Sequence, residues 1–189
     1  RSSDLRVLVI EDSMLFREVI IRGLSTDSQI EVVAYASDPM EARGKIIQYK
    51  PQVITCDIQM PKMNGIEFVS QLLPQYYIPV IMVSSISNAV FKAMEAGAVD
   101  FVVKPDVRNA RGLEQFLQDL SHKIKVASLS KPVLPNKSNL FKSATLANNE
   151  NRKNKIIAIG ASTGGTEAIF KVLKDLPPTV PGILVVQHI

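Results

Sequence analysis

Between residues 5 and 125 the chain alternates five times between a short apolar run of β type and a longer run with helical period. Few folds satisfy such an alternation. The short runs are residues 5–10, 30–36, 53–57, 79–83 and 99–103. They are rich in Val and Ile and nearly continuous in hydrophobicity, as strands covered on both faces require. The intervening segments carry apolar stripes, such as Leu15, Phe16, Val19, Ile20 and Leu24, or Ile66, Phe68, Val69, Leu72 and Leu73. Strands that each return through a helix pair in parallel, so the expected architecture is α/β, a doubly wound five-stranded parallel sheet.

Local signals fix the boundaries. Ser13 is placed to cap the first helix. Asp38-Pro39-Met40-Glu41 supplies an N-cap, a proline at the first helical position and a glutamate at the third, predicting a helix to about Tyr49. Pro61 and Asn64-Gly65 force a loop before the third helix. A fourth helix is expected over 88–96, stopped by Gly97, and a fifth over about 110–125.

The strand ends carry the chemistry. The first ends at Glu11-Asp12, the third at Asp57, the fourth at Ser84 and the fifth at Lys104. In an open α/β sheet the carboxyl ends of the strands are where ligands collect. Three carboxylates together repel one another unless a cation intervenes, and hard oxygen donors of this kind suit Mg²⁺. An aspartate beside that ion can attack a phosphoryl group, with a lysine ammonium and a hydroxyl stabilising the transferred oxygens. Taken singly, an acid pair after a strand also serves to cap a helix, and a serine or lysine there can be a turn or solvated residue. Cys56 reads as a small core residue.

Composition narrows the classes. Apolar residues make up 46% and charged residues 21%, and no apolar run approaches the roughly 18 residues of a membrane span, so the protein is expected to be soluble rather than membrane-embedded. The net charge of +4 is unevenly placed: residues 1–125 hold 14 basic and 15 acidic residues, 126–155 hold 6 and 1, and 156–189 hold 2 and 2. The excess lies in a linker-like segment rather than on a recognition helix, which argues against nucleic acid as a partner. One cysteine, and a beginning without a secretory apolar core, point to the cytoplasm.

The set Glu11-Asp12, Asp57 with Met60-Pro61 and Gly65 behind it, Ser84, and Lys104-Pro105 resembles the receiver domain of two-component response regulators over residues 4–125. The resemblance implies a flavodoxin-like sheet in which Asp57 accepts phosphate from a histidine kinase. Glu11, Asp12 and Asp57 would bind Mg²⁺, and Ser84 and Lys104 would contact the phosphoryl group. It also implies that Phe101, three residues before the lysine, repacks when Ser84 moves. Phe lacks the hydroxyl of the more usual Tyr, so any hydrogen bond from that group is absent.

The regular pattern dissolves after about residue 128 into a polar stretch, giving expected domains of 1–125 and 155–189 joined by a basic linker, 126–154. Beyond it a strand is expected from Ile156, then the turn Gly160-Ala161-Ser162-Thr163-Gly164-Gly165, a helix, and a buried strand running to Gln187 before His188. The glycine turn suits either a phosphate cradle or a strained nucleophile turn. The cradle fares badly, since no Lys follows Gly165 and the spacing is not Gly-x-Gly-x-x-Gly. Gly-x-Ser-x-Gly between strand and helix is what matches, with His188 placed to accept the Ser162 proton.

These residues look like the opening of the catalytic domain of chemotaxis protein-glutamate methylesterases, the CheB family. That resemblance implies hydrolysis of glutamate methyl esters and deamidation of glutamines on chemoreceptors, by a serine, a histidine and an aspartate. Ser162 and His188 supply the first two. The aspartate falls late in the family's catalytic domain, past Ile189, so the chain reads as a fragment inactive as an esterase. It implies further that phosphorylation relieves a block imposed by the receiver. Two alternatives compete with this reading: a non-enzymatic phosphorylation-dependent binding module, and a transcription regulator, the latter disfavoured by the strand and glycine turn where a helix-turn-helix would stand.

Overall fold

The computed structural model describes residues 4–85, 89–106, 108–130, 156–161 and 165–187, leaving aside the side chains of 165–168 and 171. The chain divides into two units, Arg1–Pro135 and Asn136–Ile189.

The first unit contains β1 (Leu5–Ile10), α1 (Met14–Leu24), β2 (Ile30–Ala36), α2 (Pro39–Tyr49), β3 (Val53–Asp57), α3 (Gly65–Leu72), β4 (Val80–Ser84), α4 (Val90–Glu95), β5 (Asp100–Val103) and α5 (Ala110–Ser128). All pairings are parallel and the strand order is β2-β1-β3-β4-β5. The order reverses direction at β1 and β3, so the crevice of the doubly wound sheet opens beyond Ile10 and Asp57. This is the five-stranded fold expected from the alternation.

Successive strand residues serve opposite faces. Leu8, Ile10, Ile54, Cys56 and Met82 join Ala42, Ile46, Phe68, Leu72 and Ala93 in the core under α2, α3 and α4. Val7, Val9, Val53, Ile81, Val83 and Val102 join Phe16, Ile20, Leu24, Phe116, Leu120 and Ile124 under α1 and α5. Each large apolar side chain so buried contributes about 1.5–3 kcal/mol relative to exposure.

The caps form as the sequence dictates. Ser13 Oγ accepts from the Phe16 amide, and Asp38 Oδ1 accepts from the Glu41 amide at 2.9 Å while Glu41 Oε2 accepts from the Ser37 amide at 2.7 Å. Gly97 leaves α4 with φ of 100°, a conformation that favours glycine. Helix α5 runs three residues beyond the expected end at 125, so the first turn of the expected linker is helical. The reason is a continued stripe: Ala127 extends the buried series Phe116, Leu120, Ile124.

The second unit contains β6 (Ile156–Ala161), α6 (Gly165–Lys174) and β7 (Gly182–Gln187), with β6 and β7 parallel and Ala161 paired to Gln187. Strand β6 is two residues longer than residues 156–159, the span expected for it.

Candidate functional site

Four strand ends meet at one edge of the first sheet. Glu11 follows β1 and is 1% exposed, and Asp57 closes β3 at 3% exposed. Asp12 is exposed beside them. One carboxylate oxygen from each of Glu11, Asp12 and Asp57 falls within a 4.8 Å span. Ser84, fully buried, ends β4 one residue past Val83, the partner of Asp57 in the sheet. Lys104 follows β5, and its amide donates to the Ser84 carbonyl at 2.9 Å.

The Lys104 side chain joins the two buried acids. Its ammonium donates to Asp57 Oδ2 at 2.6 Å and lies 2.7 Å from Glu11 Oε2. The second contact is a close ion pair. Asp57 Oδ1 accepts from the Gln59 amide at 3.1 Å, and Glu11 Oε1 from the Ser13 amide at 3.3 Å. Burial pushes the Glu11 carboxyl up to about 7, with the Asp57 charge adding to the rise and the Lys104 cation opposing it. Two buried carboxylates facing one ammonium leave the site short of positive charge. The donor set is three hard oxygens with a single ammonium between them, and it is compatible with a small divalent cation such as Mg²⁺.

Two backbone contacts hold this edge in place. Gly65, the first residue of α3, packs so closely on β3 that a Cβ there would fall 1.9 Å from the Asp57 carbonyl oxygen, while its amide donates to the Ile58 carbonyl at 2.9 Å. Arg17 Nη1 donates to the Glu11 carbonyl at 2.8 Å.

Phe101 is 3% exposed, in the core that includes Met82, Ala89 and Ala93. Its carbonyl accepts from Lys123 Nζ at 2.8 Å, tying β5 to α5. Ser162 and His188 lie outside the described residues. The structure therefore brings together Glu11, Asp12, Asp57 and Lys104, with Ser84 on the neighbouring strand. Arg17 and the hydrogen bond from Ser85 Oγ to Gln59 Oε1 at 3.1 Å carry no sequence signal, and Phe16 shows in the sequence only as part of an apolar stripe. Helical period assigned Phe16 to the core, and no local spacing says that a lysine 88 positions later will lie over it.

The fold and its acidic edge define a class. Residues 7–114 match the family described as response regulator receiver domain, and the chain belongs to that family. The receiver-domain crystal structure of Thermotoga maritima CheB superposes with a TM-score of 0.63 at 37% identity, covering 68% of this chain and 99% of that one. Residues 157–189 match a second family, CheB methylesterase. Among whole proteins, the chain is 46% identical over 184 residues to a protein-glutamate methylesterase/protein-glutamine glutaminase of Syntrophomonas wolfei, covering 97% of this chain and 53% of the relative. It is 41% identical over 193 residues to the enzyme of that name from Yersinia pestis, covering 98% and 54%. The chain thus spans about half the length of the curated relatives it matches. No helix among the described residues is long and apolar enough to cross a membrane.

Proposed function

We propose that this chain carries the phosphorylation-controlled receiver, linker and first catalytic elements of a protein-glutamate methylesterase and protein-glutamine deamidase. The proposed substrates are methyl-accepting chemoreceptors, the phosphodonor a chemotaxis histidine kinase, and the location the cytoplasm. The receiver is assigned to 1–125, the linker to 126–154 and the esterase portion to 155–189.

The observation that carries the receiver half is the Lys104 ammonium set between Asp57 and Glu11. Asp57 is the nucleophile. One of its carboxylate oxygens attacks the phosphorus, the bond from phosphorus to the donor's leaving group breaks, and that group departs with the electron pair. Lys104 and Ser84 are assigned to the phosphoryl oxygens. Glu11, Asp12 and Asp57 would hold Mg²⁺, which supplies positive charge against the anionic donor. Phe101 is assigned as the ring whose repacking reports the phosphorylated state.

In the catalytic half, Ser162 Oγ attacks the ester or amide carbonyl carbon, with His188 taking its proton and returning it to the departing methanol or ammonia. Water then cleaves the acyl-enzyme. Support comes from the Gly-x-Ser-x-Gly turn and the match of 157–189 to a methylesterase family.

The test has two arms. With Mg²⁺ and acetyl phosphate the chain should gain the mass of one phosphoryl group, and Asp57→Asn should gain none; phosphorylation that survives the substitution removes the site. Methanol release from methylated receptor membranes by the full-length protein tests the esterase, and its absence would leave the receiver as a binding module.

A further inference from the structure

Apart from its two carboxylate partners, the Lys104 ammonium has a third neighbour. It stands 4.8 Å from the centroid of the Phe16 ring. Phe16 is 7% exposed, and its ring meets that of Phe116 at 5.4 Å with a 48° tilt, so it is fixed between α1 and α5. The Lys104 side chain is 15% exposed. An ammonium largely withdrawn from water gains more from an aromatic face than one at the surface does.

Geometry separates this contact from the other two. A ring face attracts a cation without consuming any one of its three N–H donors, whereas each carboxylate competes for them. Of the two carboxylates, Asp57 is the one that phosphoryl transfer alters. Once Asp57 has become an acyl phosphate, the negative charge facing Lys104 has moved from the carboxylate to the phosphoryl oxygens. Phe16 is a neighbour that the reaction leaves unchanged, and unlike Glu11 it makes no claim on the N–H donors.

We propose that Phe16 is a positioning residue for phosphoryl transfer: its ring holds the Lys104 ammonium at the sheet edge while the ammonium's hydrogen bonds pass from Asp57 to the incoming phosphoryl group. This rests on the reading of Asp57 as the phosphorylated residue. Orientation prepared in advance lowers the barrier because it need not be found during the reaction. Phe16→Leu keeps an apolar side chain in the core and removes the aromatic face. Phe16→Tyr keeps the face. Ile124→Val loosens the same core without removing either ring.

Acyl-phosphate formation from acetyl phosphate is followed against donor concentration for each chain, with Mg²⁺ present. Phe16→Leu should slow the saturated rate by about three- to tenfold, with Phe16→Tyr restoring it and Ile124→Val staying within about twofold of the original. A second readout needs neither metal nor donor. In the metal-free protein the Lys104 side-chain methylene protons nearest the ammonium should show an upfield ring-current shift in NMR, retained in Phe16→Tyr and lost in Phe16→Leu. An original rate in Phe16→Leu, equal slowing in Ile124→Val, or no ring-current shift in the unaltered chain overturns the proposal. Should Phe16→Leu not fold, Phe16→Met replaces it under the same criteria. If the unaltered chain takes no phosphate, the phosphorylation reading fails instead, and the NMR measurement still decides whether Phe16 holds Lys104.

Discussion

Gly65→Ala is a small substitution with a large expected effect. An alanine Cβ at this position would fall 1.9 Å from the Asp57 carbonyl oxygen and 2.9 Å from its carbonyl carbon. Ordinary contact begins near 3.4 Å, so the start of α3 and the end of β3 must separate by about 1.5 Å. Both groups are main chain, and no flexible side chain can turn aside. Overpacking of this kind costs about 1–3 kcal/mol. Breaking the Gly65 to Ile58 hydrogen bond adds about 1 kcal/mol. The expected loss is about 2–4 kcal/mol, which a domain with a typical 5–15 kcal/mol survives. Urea denaturation should show a lower midpoint with an unchanged slope. Because the displaced carbonyl belongs to Asp57, the proposed nucleophile, phosphorylation from acetyl phosphate should fall by about 10²-fold, as for a 1 Å misplacement. Gly44 in α2 provides the control: nothing lies within 4 Å of its added Cβ, and Gly44→Ala should stabilise by about 0.5–1 kcal/mol. Gly65→Ala within about 0.5 kcal/mol of the original, at the original phosphorylation rate, would refute the steric reasoning.

Three further outcomes are expected. In metal-free protein Glu11 is raised from 4.5 to about 7, so its neutral form is favoured on folding; its ionisation weakens the fold as pH climbs from about 4.5 to 7. Glu11→Gln should therefore gain stability relative to the original over that window, by up to about 3 kcal/mol, and Mg²⁺ added at pH 8 should stabilise the original chain more than the variant; parallel pH curves would refute it. Asp27 is held down to about 2, chiefly by the Lys125 ammonium, so its contribution is present above its usual value and lost as pH falls toward 2. Discounted for solvent screening, Asp27→Asn should cost about 1 kcal/mol at pH 7 and nothing at pH 2, read by urea denaturation at each pH. In the full-length protein Ser162→Ala should abolish methanol release while leaving Asp57 phosphorylation unchanged, and residual release at the original rate would remove Ser162 as nucleophile.

The fold was legible because each level of the sequence agreed with the next. Continuous Val and Ile runs gave the strands, Ser13 and Asp38 the helix starts, Gly97 a helix stop, and a stretch of similar residues led into each parallel return. The acids of the site were legible for the same reason: a carboxylate that ends a buried strand has one place to go. The ammonium geometry was not. Lys104 comes from the fifth strand, Glu11 from the first and Phe16 from the first helix, so their meeting depends on a strand order that hydrophobic period does not encode. The end of α5 was missed by three residues because Lys125 and Ser128 look polar while Ala127, small and apolar, carries the stripe onward. The closeness of Gly65 to Asp57 was invisible as well, since Asn64-Gly65 reads equally as a loop of no steric consequence.

Burial of Glu11 bears on how descendants of such a chain would change. A carboxylate 1% exposed is a standing cost to the fold, offset only in part by Lys104. Selection keeps that cost while the acid has work to do. In a lineage that no longer used Asp57, replacing Glu11 with a neutral side chain would strengthen the fold, and drift would find it early. Gly65 would stay regardless, because its constraint is steric and independent of chemistry. Of two descendants with intact glycine loops, the one that had exchanged its buried glutamate for glutamine or leucine would be the one whose receiver had fallen silent.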